Sequence, residues 1–469
     1  MRLRLRPLSA GTLALATLLT SATGAFAQAA TDAPTSNAVP LKLDTGDTAW
    51  VIVATVLVLA MTPGLAFFYG GLVRTKNAIN TLMMSLGAMA VLGLLWALGG
   101  YSIAFGNGGA ANAWIGGLEF VGLTNFVSKT AHIASPSIPI SVHSMFQAMF
   151  FLITPALISG ALVERIKFTS YLLFISLWGL LVYCPIAHWV WSPGGWIGAQ
   201  GVMDFAGGTV VHTSAGFSAL AAAILLGRRR GYGQVAMNPH SLPLCLLGGS
   251  LLWIGWCGFN GGSALHADAL GALAVANTIL AACAAMFAWM MIDLVMRRAI
   301  TALGAVTGVV VGLVAVTPAS GFVSPLGAIL IGIIATGVCY LMVLWRSQGP
   351  VDDSLDVFAV HGVGGMTGAI LTGVFSTGAL ARNGLNALAL PGLLEGGTDI
   401  FWKQTGCIFV VAAFAFVASS FLLKAIDLTL GLRASDEAEY LGLDISQHAE
   451  EAYSADEVPT MPVAEGSLA

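Results

Sequence analysis

The stretch DFAGGTVVH, Asp204 to His212, sets an aspartate and a histidine at the mouth of an apolar helix, and its reading decides the fold. A charged side chain at the bilayer centre costs about 2.5–3.5 kcal/mol on insertion scales, so an ionisable pair at that depth is kept for a purpose. A second stretch, DVFAVHG from Asp356 to Gly362, repeats the device and puts His361 on another apolar helix. Two such histidines, one in each half of the chain, point to a path through the middle of a membrane protein.

The composition agrees. Of the 469 residues, 57% are hydrophobic and 9% charged, against about 25% charged in soluble domains. Mean hydropathy is +0.85. Glycine, at 57 residues, is as abundant as it is where helices approach closely in lipid. The six cysteines, Cys184, Cys245, Cys257, Cys283, Cys339 and Cys407, all fall in apolar runs without zinc-ligand spacing. They read as small core hydrophobes. Residues 1–27 read as a secretory signal, with Arg2, Arg4 and Arg6 as its basic start, Leu13 to Leu19 as its apolar run and Ala25-Phe26-Ala27 as its cleavage site. Their removal leaves a chain more acidic than the −4 of the whole, which argues against a nucleic-acid partner.

About eleven segments are near the length that crosses a bilayer. They begin near Trp50, Ala78, Val142, Ser170, Phe205, Pro243, Leu270, Ile300, Leu326, Val357 and Thr405. Between them, Arg74, Lys76, Arg165, Lys167, Arg228 to Arg230, Arg297, Arg298, Arg346 and Arg433 fall on one side. Only Lys42, Lys129, Arg382 and Lys403 fall on the other. The basic side is cytoplasmic by the positive-inside rule, which places the N-terminus outside and the C-terminus inside. Eleven divides as five, five and one. Because five is odd, consecutive halves run in opposite senses, the inverted-repeat plan of many transporters. The expected fold is therefore an all-α integral membrane protein with an inverted five-plus-five repeat and a final helix. The two Asp-then-His stretches fall on the fifth and tenth spans.

Few polar residues are left for a site at the midplane: Asp204, His212, Ser263, Asp356, His361 and scattered Thr and Ser. No row of carboxylates offers a sodium or proton path, and no Walker sequence or nucleotide domain drives transport with ATP. Zinc needs three or four ligands, and the two histidines have no evident third. A nucleophile pair of Ser263 and His361 lacks an orienting group, which leaves hydrolase chemistry unsupported. Aromatics add a second clue. Phe146 and Phe150 sit on the third span, Trp189 and Trp191 end the fourth, and Trp256 and Phe259 lie on the sixth with Ser263 one turn on. Such rings attract a cation that is losing its water. By spacing alone they equally form an interfacial belt or helix packing.

Five ordered strings break that tie. FQAMFFLITPALISGALVERIKF (Phe146 to Phe168), PIAHWVW (Pro185 to Trp191), DFAGGTVVH, GWCGFNGGSA (Gly255 to Ala264) and DDSLDVFAVHG (Asp352 to Gly362) resemble the ammonium transporter family, Amt/Mep/Rh, and its bacterial Amt branch most. The resemblance runs from the first span to the tail. It departs at Cys257, where many relatives carry a larger aromatic, and in the loops at Asn107 to Ala134 and after Ser376.

The resemblance implies an eleven-helix bundle assembled as a homotrimer with one pore per subunit. It assigns Phe150, Trp191 and Ser263 to an outer ammonium recruitment site with Asp204 nearby, and Phe150 with Phe259 to a pair of rings that close the pore below. His212 and His361 become twin histidines in the pore, with Leu157, Val190, Val357 and Trp256 along its wall. No cofactor is implied. Ammonium has the charge and nearly the size of potassium, so a plain hole cannot separate them. A site for N–H donors followed by a dry passage can.

Asp204 also has an ordinary role, since an aspartate at a helix start caps free N–H groups and suits the dipole. Asp356 is expected to cap the tenth span in the same way. The tail, Gly431 to Ala469, is acidic. Its segment GLRASDEAEYLGLDISQHAEEAYS resembles the tails that meet PII-type signalling proteins, with Leu432, Tyr440, Leu441, Leu443 and Ile445 available to pack on the cytoplasmic face. The whole reads as a bacterial inner-membrane ammonium channel-transporter over residues 28–430 with a cytoplasmic tail. An ammonium sensor and a neutral-solute facilitator are the rival readings.

Overall fold

The computed structural model describes residues 42–124, 126, 131–132 and 134–453. The signal sequence expected at residues 1–27 and the end of the tail, residues 454–469, lie outside the described residues. Among the described residues, ten helices are long and apolar enough to cross a bilayer: α1 (Thr45–Leu72), α2 (Thr75–Phe105), α3 (Ile140–Ala161), α4 (Phe168–Trp191), α5 (Gly208–Leu226), α6 (Leu242–Gly262), α7 (Ala269–Arg297), α9 (Pro325–Ser347), α10 (Phe358–Phe375) and α11 (Thr398–Thr429). Between α7 and α9 lies α8 (Ala302–Val316), whose 15 residues reach about 22 Å, short of the about 30 Å hydrocarbon core. It does not need that length. From Gly308 through Val323 the chain is buried continuously, so α8 meets protein rather than lipid. These eleven helices are the expected spans.

Helix starts follow the sequence. Side chains of Asp44, Ser241, Asp268, Thr301 and Ser324 accept first-turn N–H groups of α1, α6, α7, α8 and α9, and Pro325 sits in the first turn where its missing N–H costs nothing. Lipid-facing positions such as Leu94, Phe287, Leu341 and Phe421 are exposed and apolar. Glycines set the close approaches. A Cβ on Gly248 of α6 would fall 2.3 Å from the Phe68 nitrogen of α1, so this crossing admits no larger residue.

The halves α1–α5 and α6–α10 meet where α5 crosses α10. There a Cβ on Gly216 would lie 2.0 Å from the Gly362 nitrogen, and one on Gly365 would lie 2.7 Å from the His212 Cβ. Both helices begin with a widened π turn, Gly208–Thr213 and Phe358–Val363, and each turn carries its half's histidine. Single π turns concentrate at functional sites. At the end of the bundle where α3 starts, a short antiparallel pair, β1 (Ala131–His132) and β2 (Ser135–Pro139), leads into it.

The opposite end is held by ion pairs and by the tail. Arg74 forks onto Glu164 and Arg229 onto Asp352. Fully buried Arg165 donates to the carbonyls of Ala161, Val163 and Asp352 and to the Ser354 hydroxyl. The tail then lies across α2 and α4. Asp444 accepts the N–H groups of Ile79 and Asn80 at the start of α2, and Gln447 both accepts the Phe168 N–H and donates to the Ile166 carbonyl. Of the five apolar tail residues, Leu432 and Leu443 are buried, whereas Tyr440, Leu441 and Ile445 remain exposed. The first pair packs as expected; Tyr440, though exposed, lies under the Arg230 guanidinium at 5.1 Å, and Leu441 and Ile445 stay open.

Candidate functional site

At the end of the bundle near β2, side chains from α3, α4 and α6 converge. The Phe150 and Trp191 rings meet edge-on with centroids 5.8 Å apart, and Phe150 overlies Phe259 at 4.2 Å. Ser263, at the end of α6, donates its hydroxyl to the Phe259 carbonyl at 2.8 Å, which leaves its oxygen lone pairs open. Trp191 donates its indole N–H to the Asp204 carbonyl at 2.9 Å. That bond fixes the ring over the mouth.

Asp204 itself faces inward. Its carboxylate accepts the N–H groups of Gly207, Gly208, Thr209 and Val210 at 2.6 to 3.0 Å. Those are the donors a helix start leaves unpaired, and the carboxylate takes all four. Asp204 therefore touches backbone, and it acts on the mouth by anchoring α5 and holding Trp191 through its own carbonyl.

Below the ring pair lies a cavity of about 10 Å³ lined by Ile153, Leu157, Val211, Trp256, Phe259, His212 and His361, among others. That is room for about one water-sized particle. His212 stacks near Trp256 with centroids 5.3 Å apart, and its Nδ1 lies 3.2 Å from Nδ1 of His361. Both imidazoles are buried. A hydrogen bond between two ring nitrogens requires one to carry the proton and the other to lack it, so one imidazole of the pair is neutral. His361 also borders a second cavity of about 330 Å³ toward the tail end, lined by Arg229, Tyr232, Arg346, Ser354, Asp356 and Val360, among others. The histidine pair thus lies between a tight apolar chamber and a wider vestibule that carries Arg229, Arg346 and Asp356 among apolar side chains.

The start of α10 corrects the sequence reading. Asp356 does not cap it: with φ of +58° it turns away and pairs with Arg346 at 2.5 Å. The cap is Asp353, whose carboxylate accepts the N–H groups of Val357 and Phe358. Asp353 stands eight residues before His361, the interval that separates Asp204 from His212. Burial, and then the charge of Asp356, push the Asp353 carboxyl up to about 7 against the pull of Arg346 and the two amides. For Asp352, burial is outweighed by the Arg229 fork and by Arg165, which hold its carboxyl below the usual range.

Of the residues singled out from the sequence, Phe150, Trp191 and Phe259 come together at the mouth, Ser263 lies one turn beyond Phe259, and His212, His361, Leu157 and Trp256 line the chamber. Val190 and Val357 are buried but border neither cavity. Val211 and Ile153, which the sequence does not single out, also line the chamber. Cys257, the departure noted above, leans on the Trp253 carbonyl of its own helix and leaves the chamber untouched.

Comparison with known proteins gives this geometry a context. The model of the Ammonium Transporter Family matches residues 49–453. The chain is 45% identical to an ammonium transporter of Bacillus subtilis, covering 87% of this chain and 98% of that one. It is 42% identical to the ammonium transporter Amt1 of Archaeoglobus fulgidus over 87% and 99%. In three dimensions it is similar to the crystal structure of Candida albicans Mep2, with a TM-score of 0.80 and 33% identity over 90% and 93% of the two chains. It is also similar to a sensor Amt protein, with a TM-score of 0.76 and 27% identity over 86% and 98%.

Proposed function

The chain belongs to the ammonium transporter family, and from that premise we propose that it moves ammonium by capturing the cation at the ring-lined mouth and passing ammonia along the twin histidines. It is a multi-pass membrane protein that transports ammonium. The observation that carries the finer reading is the imidazole pair, 3.2 Å apart, between a chamber of about 10 Å³ and a vestibule of about 330 Å³.

Each element has a physical task. Phe150 and Trp191 offer π faces that attract a cation by about 0.5–2 kcal/mol, and Ser263 offers an oxygen to its N–H groups. The Phe150 and Phe259 rings, in contact at 4.2 Å, then deny passage to a hydrated ion. A bare potassium ion in the apolar chamber has nothing to replace its water, whereas neutral ammonia carries little solvation to lose. His212 and His361 give the ammonia a hydrogen-bonding partner and relay the proton that ammonium releases at the mouth, since a neutral ring both donates and accepts, so one charge crosses with each ammonia.

The wider setting follows the same reading: the bacterial inner membrane, the tail in the cytoplasm, three subunits each with its own pore, and a PII-type protein meeting the tail face. The arginines at the tail end support that orientation. The signal sequence over residues 1–27, the transport domain over 28–430 and the tail over 431–469 complete the domain plan. The likeness to a sensor Amt protein favours a second reading, in which conduction reports ammonium to a partner. Purified protein in liposomes, exposed to an ammonium gradient and then to an equal potassium gradient, tests the proposal. It predicts current with ammonium alone. Equal currents, or none with ammonium, would contradict it.

A further inference from the structure

Next to the mouth, three polar groups from three separate elements meet. Asp47 stands in the first turn of α1, Ser137 in β2 just ahead of α3, and His266 in the turn that leaves α6. His266 Nδ1 lies 2.8 Å from the Asp47 carboxylate and 3.1 Å from the Ser137 hydroxyl. The second Asp47 oxygen accepts the Ala267 N–H at 2.8 Å, and the Asp44 N–H donates to the Ser137 carbonyl at 2.8 Å. The knot belongs to none of the residues given a role in capture or conduction.

The elements it joins are the ones that build the mouth. α3 carries Phe150, and α6 carries Phe259 and Ser263. α1 buttresses the end of α6 through Trp50, which donates to the Gly261 carbonyl. Ser263 lies three residues before His266, and its hydroxyl bonds only within its own helix. How the Ser263 oxygen sits relative to Phe150 and Trp191 therefore depends on how the end of α6 is held against α1 and α3. At Gly262 the fit is already tight, since a Cβ there would lie 2.7 Å from the Phe146 ring.

We propose that the Asp47–His266–Ser137 knot positions the mouth, fixing Ser263 against the rings and so setting the apparent affinity for ammonium without touching the cation. The inference rests on reading Phe150, Trp191 and Ser263 as the capture site. The His266 side chain is 40% exposed and that of Asp47 14%. Exposed pairs of this kind add little to global stability, so loosening the knot should shift the mouth and leave the bundle folded. Small displacements of positioning groups are costly for function.

A rival physical account makes the opposite prediction. If the knot mattered through charge, removing His266 would release the Asp47 carboxylate and draw cations more strongly. The test is ammonium current against concentration, for the full chain in liposomes. His266→Ala is expected to raise half-saturating ammonium about three- to tenfold while leaving maximal current near wild type. His266→Asn places an amide N–H where Nδ1 stood and is expected to restore the wild-type value. Ser137→Ala, which opens only the third side, is expected to shift affinity in the same direction by less, and it serves if His266→Ala does not fold. Tighter or unchanged affinity in folded His266→Ala or Ser137→Ala would overturn the proposal, as would a failure of Asn to rescue. Trp191→Leu runs in parallel. If it shifts affinity and His266→Ala does not, the knot alone is refuted; if it shifts nothing, the capture site and the knot fall together.

Discussion

The two half-helices that meet at the pore centre, α5 and α10, use one device in two surroundings. Each starts with an aspartate on its backbone N–H groups, runs through a π turn, and presents a histidine eight residues after the aspartate. Asp204 takes four N–H groups and has no charged partner. Asp353 takes two, beside an Asp356–Arg346 pair that itself lines the vestibule of about 330 Å³. The repeat supplies the geometry, and the difference between its copies supplies direction: a tight apolar chamber on one side and a wider cavity carrying Arg229, Arg346 and Asp356 on the other. A symmetric framework carries an asymmetric path because the two caps and their surroundings differ.

Removing the caps should break the comparison most visibly. Asp204→Ala leaves four buried donors unsatisfied, and at about 1–3 kcal/mol each the variant is expected to fail assembly or lose many degrees of thermal stability. Asp353→Ala leaves only two donors unsatisfied and is expected to yield folded protein with a smaller drop. Thermal unfolding of both in detergent measures the difference; equal losses would show that the two starts are energetically alike.

The raised Asp353 carboxyl sharpens the same contrast. A group held above its unfolded value binds a proton on folding, so its ionisation weakens the fold as pH rises through about 7. Stability is expected to be fully retained below the unfolded value and to decline toward pH 8, with the decline removed in Asp353→Asn. A flat profile in wild type from pH 5 to 8 would contradict that sign.

At the mouth the effect is smaller. Trp191→Leu removes a π face worth about 0.5–2 kcal/mol, so half-saturating ammonium is expected to rise about two- to thirtyfold in folded protein. The smallest effect on transport is expected from the tail. Deleting residues 431–469 should abolish regulation by a PII-type protein and leave ammonium current in its absence close to wild type. Regulation that survives the deletion would remove the tail as the docking element.

How much of this was legible without coordinates differs between the parts. The helices were, because their apolar runs and capping residues are local signals. The mouth was also, since Phe150, Trp191, Phe259 and Ser263 are carried by strings distinctive of the family. The cap of α10 was misread because Asp356 lies nearer to His361, although the interval of eight was already present in the sequence. The chamber wall was hardest. A π turn adds a residue to the coil and rotates the phase of everything after it, so regular helical spacing does not single out Val211, which sits inside the π turn of α5 and borders the chamber. The tail's exposed Tyr440, Leu441 and Ile445 follow from nothing in their hydrophobicity, because docking is set by Asp444 and Gln447 on helix ends.

The central claim is that the paired imidazoles separate ammonium from other cations in a dry passage. Its most direct test is current through the full-length protein in liposomes, with ammonium and potassium gradients applied in turn to wild type, His212→Asp and His361→Asp. The account predicts ammonium current without potassium current in the wild type, and potassium current in either aspartate variant, because a fixed carboxylate in the chamber then replaces the ion's water. Folded variants that keep both the wild-type ammonium current and full exclusion of potassium would contradict it.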